Sequence, residues 1–225
     1  LLPPVLPGFS SVFAQTGLTG NEGEKVYIDD VGVAPEEARL LELINAARHD
    51  PLEMAKTLGF NSEAILARRP ELADVFANGL PALTFDARLY RSARAHASDM
   101  ILNSYYSFQS MDGAGIADRM RAAGYAPALS EESLGLIFFN NFIDMEKTVF
   151  LMFRNMFEDE LSPDRAGDYK ILNPEISHVG TAVEGGRYQF SGFEANVYMS
   201  VCDFARPVEI GELQMLNLIN QARAY

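Results

Sequence analysis

The side chains that could carry acid–base, nucleophilic or metal chemistry are few: three histidines (His49, His96, His178), one cysteine (Cys202) and 31 Asp plus Glu. The acids cluster at Glu131-Glu132 and at Glu158-Asp159-Glu160. Adjacent carboxyl groups can exchange a proton with a substrate as acid and base, although such runs also serve as solvated helix faces and caps. A hydrolase further needs a nucleophile or activated water, and an oxyanion site. The chain contains no G-x-S-x-G, H-E-x-x-H, G-x-x-x-x-G-K-[ST] or G-x-G-x-x-G. Cys202 follows Val201 in an apolar run and reads as a small buried hydrophobe. Alone, it forms neither an intramolecular disulfide nor a cysteine-based zinc site. Asp112-Gly113 is a turn former without the spaced acids of a calcium loop. His96 falls beside the apolar face of a helix and reads as packed. His49 sits at a helix end, where a cation suits the dipole. His178 precedes a strand, from where it could reach a cleft.

These residues must be positioned by a domain of ordinary make-up: 225 residues, 48% hydrophobic and 22% charged. Its 18 Lys plus Arg against 31 Asp plus Glu leave a net charge of −13. That acidity speaks against nucleic acid and anionic membrane surfaces, which need clustered cations. No apolar run approaches the roughly 18 residues of a membrane-spanning helix. Residues 1–34 are rich in Pro and Gly, with one short strand at 25–28. Leu1–Gln15 ends in a faint signal-peptidase pattern, yet it lacks a basic residue, and Pro3, Pro4 and Pro7 would break a signal helix. The expectation is an extended N-terminal arm lying on the domain.

Pro35-Glu36-Glu37 opens a helix, since proline in the first turn gives up no hydrogen bond. Leu40, Leu41, Ile44 and Ala47 supply its apolar face. Asp50-Pro51 ends it and starts a second helix to Leu58; a further helical piece lies at 63–69. Asp86 caps a helix carrying Leu89, Ala93, Ala97, Met100 and Ile101 on one side. A loop over 107–115 leads to a short helix, 116–123, closed by Gly124. Leu134–Phe142 reads as core. Asp144 caps a helix with a Met and Phe stripe, stopped by Ser162-Pro163. Then the period changes: 178–184, 188–190 and 197–204 read as strands, with Gly185-Gly186 as a turn. Helices first and a small antiparallel sheet later give an α+β class.

One repeat stands out. LLELINAARHD at 40–50 and MLNLINQARAY at 215–225 share six of eleven positions at an offset of 175. The reading is a C-terminal helix, 208–225, that begins a second unit. Its apolar face, costly to leave wet, would favour packing on the same chain or on a neighbour, with self-association as a side effect.

Taken in order, LLELINAAR (40–48), LTFDARLYRSARAHASDM (83–100), YYSFQSMDG (105–113), DRMRAAGY (118–125), EESLG (131–135) and ILNPEISHVGTAV (171–183) resemble the CAP superfamily of bacterial type, also called SCP domains. The resemblance covers about residues 37–206, hence a domain of 35–207. It implies a three-layer α-β-α sandwich with a central cleft, where two His and two Glu of many relatives can hold a divalent metal. Carried over singly, the first His position falls on Phe108 and the first Glu on Glu132. The second Glu falls among 158–160, taken as Glu160 with its register open, and the second His on Gly167. With both imidazoles gone, Glu132 and one more acid would make only a weak, oxygen-only site, poor for zinc. No cofactor is expected. Phe108 is expected to fill part of the metal's space and dry the cleft, raising the pKa of Glu132. The resemblance thus implies an exported protein, extracellular or periplasmic, acting as a non-catalytic binding or interaction module for an unknown protein or apolar small molecule. The alternatives are a weak metal-assisted hydrolase using Glu132 and a nearby acid, and a carrier of a lipid or sterol.

Overall fold

The computed structural model describes residues 25–28, 30–140, 143–165 and 168–209, together with 211, 219 and 223. Strands β1 (Val26–Ile28) and β2 (Val31–Val33) form a hairpin ahead of the domain. Helix α1 (Pro35–His49) follows, then α2 (Pro51–Thr57), α3 (Ser62–Arg68), a 3-10 turn and α4 (Ala73–Asn78). Strand β3 (Thr84–Phe85), α5 (Ala87–Asn103), α6 (Ile116–Ala122), β4 (Pro127–Phe139), α7 (Met145–Leu161), β5 (His178–Phe190) and β6 (Phe193–Pro207) complete the described elements. The main sheet has the order β3-β5-β6-β4, antiparallel except for β3, which runs parallel to β5.

Helix starts follow local chemistry. The side chains of Asp50, Asp86 and Asp144 accept backbone N–H groups in the first turns of α2, α5 and α7, which satisfies donors that a helix start leaves unpaired. The sheet is covered on both faces, so the class is the expected α-β-α sandwich. On one face, Val179, Val183, Cys202 and Phe204 pack with α1, α2 and α7. On the other, Ala182, Val197, Met199 and Val201 meet Ala93, Ala97, Met100 and Ile101 of α5. Alternation along β6 sends successive side chains to opposite layers. Gly180 lets α5 come close: a Cβ there would lie 2.1 Å from the Tyr90 nitrogen.

Three local expectations are corrected. Leu134–Phe139 belongs to strand β4, the half-buried outer strand, and Phe138 is 59% exposed. Gly185-Gly186 is not a turn: β5 runs straight through it, and the reversal comes at Ser191-Gly192, with Gly192 at φ +95°. Helix α4 and strand β2 were not anticipated. The readings of the arm over 1–24, and most of the C-terminal helix and second unit over 208–225, lie outside the described residues. Among the described residues no helix is long and apolar enough to cross a membrane.

Candidate functional site

Pairing of β4 with β6 sets Glu132 directly opposite Asp203. Opposite residues of an antiparallel pair share a face, and this face is the one under α5 and α6. Helix α5 presents Ser92 and His96 there, four residues apart and so on one side of the helix. Helix α6 contributes Arg119. Ser92, His96, Glu132 and Asp203 are all at most 3% exposed.

Arg119 ties the cluster to the loop between α5 and α6. One terminal nitrogen donates to Glu132 Oε1 at 2.7 Å. The other donates to Phe108 O at 3.0 Å, Ser110 Oγ at 3.2 Å and Ala114 O at 3.0 Å. His96 Nε2 lies 3.0 Å from Ser107 O and 3.8 Å from Glu132 Oε2. Its Nδ1 faces Tyr105 Oη and Ser110 Oγ, each at 3.5 Å. Tyr105 in turn donates to Asp99 Oδ2 at 2.5 Å.

The charges do not balance as they stand. Two buried carboxyl groups meet one guanidinium, because His96 is neutral: burial and the neighbouring Arg119 charge push its pKa down to about 4. Burial raises Glu132, with Arg119 pulling the other way. Complete burial and the Glu132 charge hold Asp203 well above the ordinary range. Asp203 therefore carries the proton, as a neutral acid beside an ionised Glu132. Neither Asp203 oxygen, nor Glu132 Oε2 or Ser92 Oγ, has a conventional hydrogen-bond partner among the described residues. A carboxyl proton shared between Asp203 and Glu132 relieves that deficit.

The carried-over positions separate. Glu132 stands at the centre. Phe108 does not fill the cleft: it is 58% exposed, since Arg119 draws the loop's carbonyls and Ser110 inward and turns this ring to solvent. Tyr106 and Met111 of the same loop are exposed with it. Glu160 lies elsewhere, near the end of α7, where its carboxylate accepts the N–H groups of Lys170, Ile171 and Leu172. Burial moves its pKa up to about 7 against those donors. Arg48 braces the same segment through Ile171 O at 2.6 Å and Asn173 O at 2.9 Å. His178 joins Tyr125 Oη through Nδ1 at 3.0 Å and does not approach Glu132. Gly167 lies outside the described residues.

A divalent cation does not fit this arrangement. Phe108 offers no donor atom, Glu132 is engaged by Arg119, and the described residues contain no group of three or more His, Cys, Asp or Glu able to hold a metal. A shallow pocket of about 270 Å³ lies further along β4, lined by Phe139, Gly185, Gly186, Arg187, Asn196, Val197 and Tyr198. Ligand sites for drug-sized molecules usually start at about 300 Å³, so it is small for a lipid.

Sequence reasoning did not find Arg119, Asp203 or Ser92, and took His96 for packing alone. One signal was available: Asp203 interrupts the apolar run Val201-Cys202-Asp203-Phe204 at a position where an inward carboxylate needs a partner.

The profile described as "CAP: Cysteine-rich secretory protein family" matches residues 41–204. No curated protein matches the chain. Among solved structures, an extracellular protein containing an SCP domain from Bacillus anthracis is 17% identical, with a TM-score of 0.38, over 64% of this chain and 39% of that one. This chain therefore spans well under half the length of that protein. An outer surface protein from Borrelia burgdorferi is 18% identical, with a TM-score of 0.39, over 65% of this chain and 89% of that one.

Proposed function

The chain belongs to the CAP, or cysteine-rich secretory protein, family, and from that membership we propose that it is an exported binding module whose cleft is closed by an ion pair in place of a metal. The observation that carries this reading is the Arg119 clamp. One guanidinium holds Glu132 and three groups of the loop 108–114 together. The loop is fixed from the inside while it presents Tyr106, Phe108 and Met111, which are 46%, 58% and 70% exposed. A rigid apolar surface loses little conformational entropy on binding, and large exposed aromatics are the residues that anchor protein contacts. The partner is a protein. The binding unit is residues 35–207, preceded by an arm and followed at 208–225 by the start of a second unit. Its location is extracellular or periplasmic.

The rival readings draw less support. A metal-assisted hydrolase needs Glu132 facing a cation, yet that carboxylate faces Arg119. A lipid carrier needs a deep apolar cavity, and the pocket along β4, formed among the described residues, is shallow.

A photo-crosslinking amino acid at position 108 tests the proposal in the cell that makes the protein. Discrete protein adducts should form there, and not with the same label at Leu102, which is 81% exposed on α5. Equal adducts at both positions would mean that the loop is ordinary surface.

A further inference from the structure

We propose that Ser110 is a nucleophilic serine, with His96 as its general base and Arg119 as the adjacent cation, able to accept an acyl or phosphonyl group. This goes beyond the binding role and does not depend on it.

The argument follows the protons. His96 Nε2 is 3.0 Å from the carbonyl of Ser107. A carbonyl only accepts, so Nε2 carries the hydrogen and the lone pair of the neutral ring is on Nδ1. Two hydroxyls stand 3.5 Å from that lone pair, those of Tyr105 and Ser110. Tyr105 spends its proton on Asp99 Oδ2 at 2.5 Å. With Tyr105 committed to Asp99, the Ser110 hydroxyl, which also faces Tyr105 Oη, is the donor left for Nδ1. Nucleophile, base and an orienting acceptor behind the base form the arrangement that activates a serine, and a loose hydroxyl–imidazole distance is common before substrate binds. Burial and Arg119 hold His96 neutral at rest, while Asp99, and Glu132 Oε2 at 3.8 Å from Nε2, place negative charge near the imidazolium that would form during attack. Arg119 donates to Ser110 Oγ at 3.2 Å, so positive charge lies beside the nucleophilic oxygen and favours its deprotonated form.

Access points the same way. Ser110 is half-buried and flanked by the exposed Gln109 and Met111, whereas His96 is buried behind it. A reagent therefore meets the hydroxyl before the imidazole. Ser92 lies deeper, 3% exposed, and offers no such approach.

The chemistry balances without a further reactant. Ser110 Oγ attacks the carbonyl carbon of an ester while its proton moves to His96 Nδ1. The new C–O bond replaces the bond to the leaving alkoxide, which departs with that proton as an alcohol. With a fluorophosphonate, the Oγ–P bond forms, the P–F bond breaks, and fluoride and the serine proton are released.

The test uses the full chain and a fluorophosphonate at neutral pH. Intact mass should rise by one phosphonyl group, and peptide mapping should place it on Ser110. Ser110→Ala should abolish the adduct, and His96→Gln should slow its formation roughly 100-fold, the usual scale of general-base assistance. Mapping on the unaltered chain decides the matter even where a variant does not fold. No adduct, an adduct on a tyrosine, or equal labelling after unfolding in urea would overturn the proposal. Labelling of Ser110 unchanged by a folded His96→Gln variant would remove His96 from the mechanism and overturn it as stated.

Discussion

Replacing Arg119 by Met keeps a long side chain in place and removes the cation. Glu132 and the three loop acceptors lose their donor together. Removing one partner of a buried pair costs about 3–5 kcal/mol. The carboxylate has one escape, which is to take up a proton. Its ordinary pKa is 4.5, so holding it neutral at pH 7 costs about 3.4 kcal/mol, and at pH 5 about 0.7 kcal/mol, at 1.36 kcal/mol per pH unit. The loop bonds add a further loss of about 1–3 kcal/mol that does not depend on pH. In the variant the folded state binds the extra proton, so the variant loses stability as pH rises above 4.5. Melting at pH 7 should fall by roughly 9–26 °C for a loss of about 4.4–6.4 kcal/mol in a chain of this size, and the deficit should shrink by about 5–11 °C at pH 5. Arg119→Met combined with Glu132→Leu should be more stable than Arg119→Met alone, because no unpaired carboxylate remains. Thermal melts followed by circular dichroism read all of this. An equal deficit at both pH values, or one worth less than about 1 kcal/mol, would refute the clamp.

Asp203→Asn keeps a neutral donor next to Glu132 without the cost of holding a proton, about 4.4 kcal/mol at pH 7 for a carboxyl of ordinary value 3.8, so denaturant unfolding at pH 7 should show a gain of up to about that size that shrinks as pH falls, whereas Glu132→Gln strands Arg119 and should cost about 3 kcal/mol. Calorimetric titration with zinc should reveal no sub-micromolar site that depends on Glu132, since the borderline nitrogen ligands that select zinc are missing. Burial raises the pKa values of Glu37, Glu131, Glu132, Glu160 and Asp203. The unfolded chain gives up those protons first, so stability should decline from about pH 4.5 through the Glu160 value of about 7. His96 and His178, both lowered, act in the opposite sense and erode stability as pH falls below 6.5. With five groups against two, the melting temperature should be higher near pH 5.5 than at pH 8.

How far the fold was legible depended on whether the signal was local. Pro35, Asp86 and Asp144 mark helix starts by chemistry confined to one turn, and α1, α5 and α7 begin where they indicate. Strand β4 carries no clean alternation because both of its faces are half-buried. Its apolar half therefore resembles core, and nothing local says otherwise. Gly185-Gly186 misled for a different reason. Two glycines usually break a strand, yet here Tyr198 and Ile101 lean over them and occupy the space side chains would take: a Cβ would lie 2.9 Å from the Tyr198 ring and 2.5 Å from Ile101. The site divides in the same way. Glu132 was reachable from a short motif, whereas its partners arrive from α5, α6 and β6 through pairing and packing that no single stretch encodes.

In the proposed function, a side chain in place of an ion changes what the loop depends on. A loop held by a bound metal loosens when the ion concentration falls below its dissociation constant, because the bound state is stabilised by mass action. A loop held by Arg119 has no such dependence, since the cation is covalently part of α6. Only the acceptor can fail, and Glu132 fails by protonation. Burial moves it toward that proton, Arg119 moves it away, and Asp203 keeps a proton within reach. The apolar face of Tyr106, Phe108 and Met111 thus remains preorganised wherever Glu132 stays ionised, whatever metals the surroundings contain. That independence suits the exported location proposed above, where ionic surroundings are not regulated by the cell.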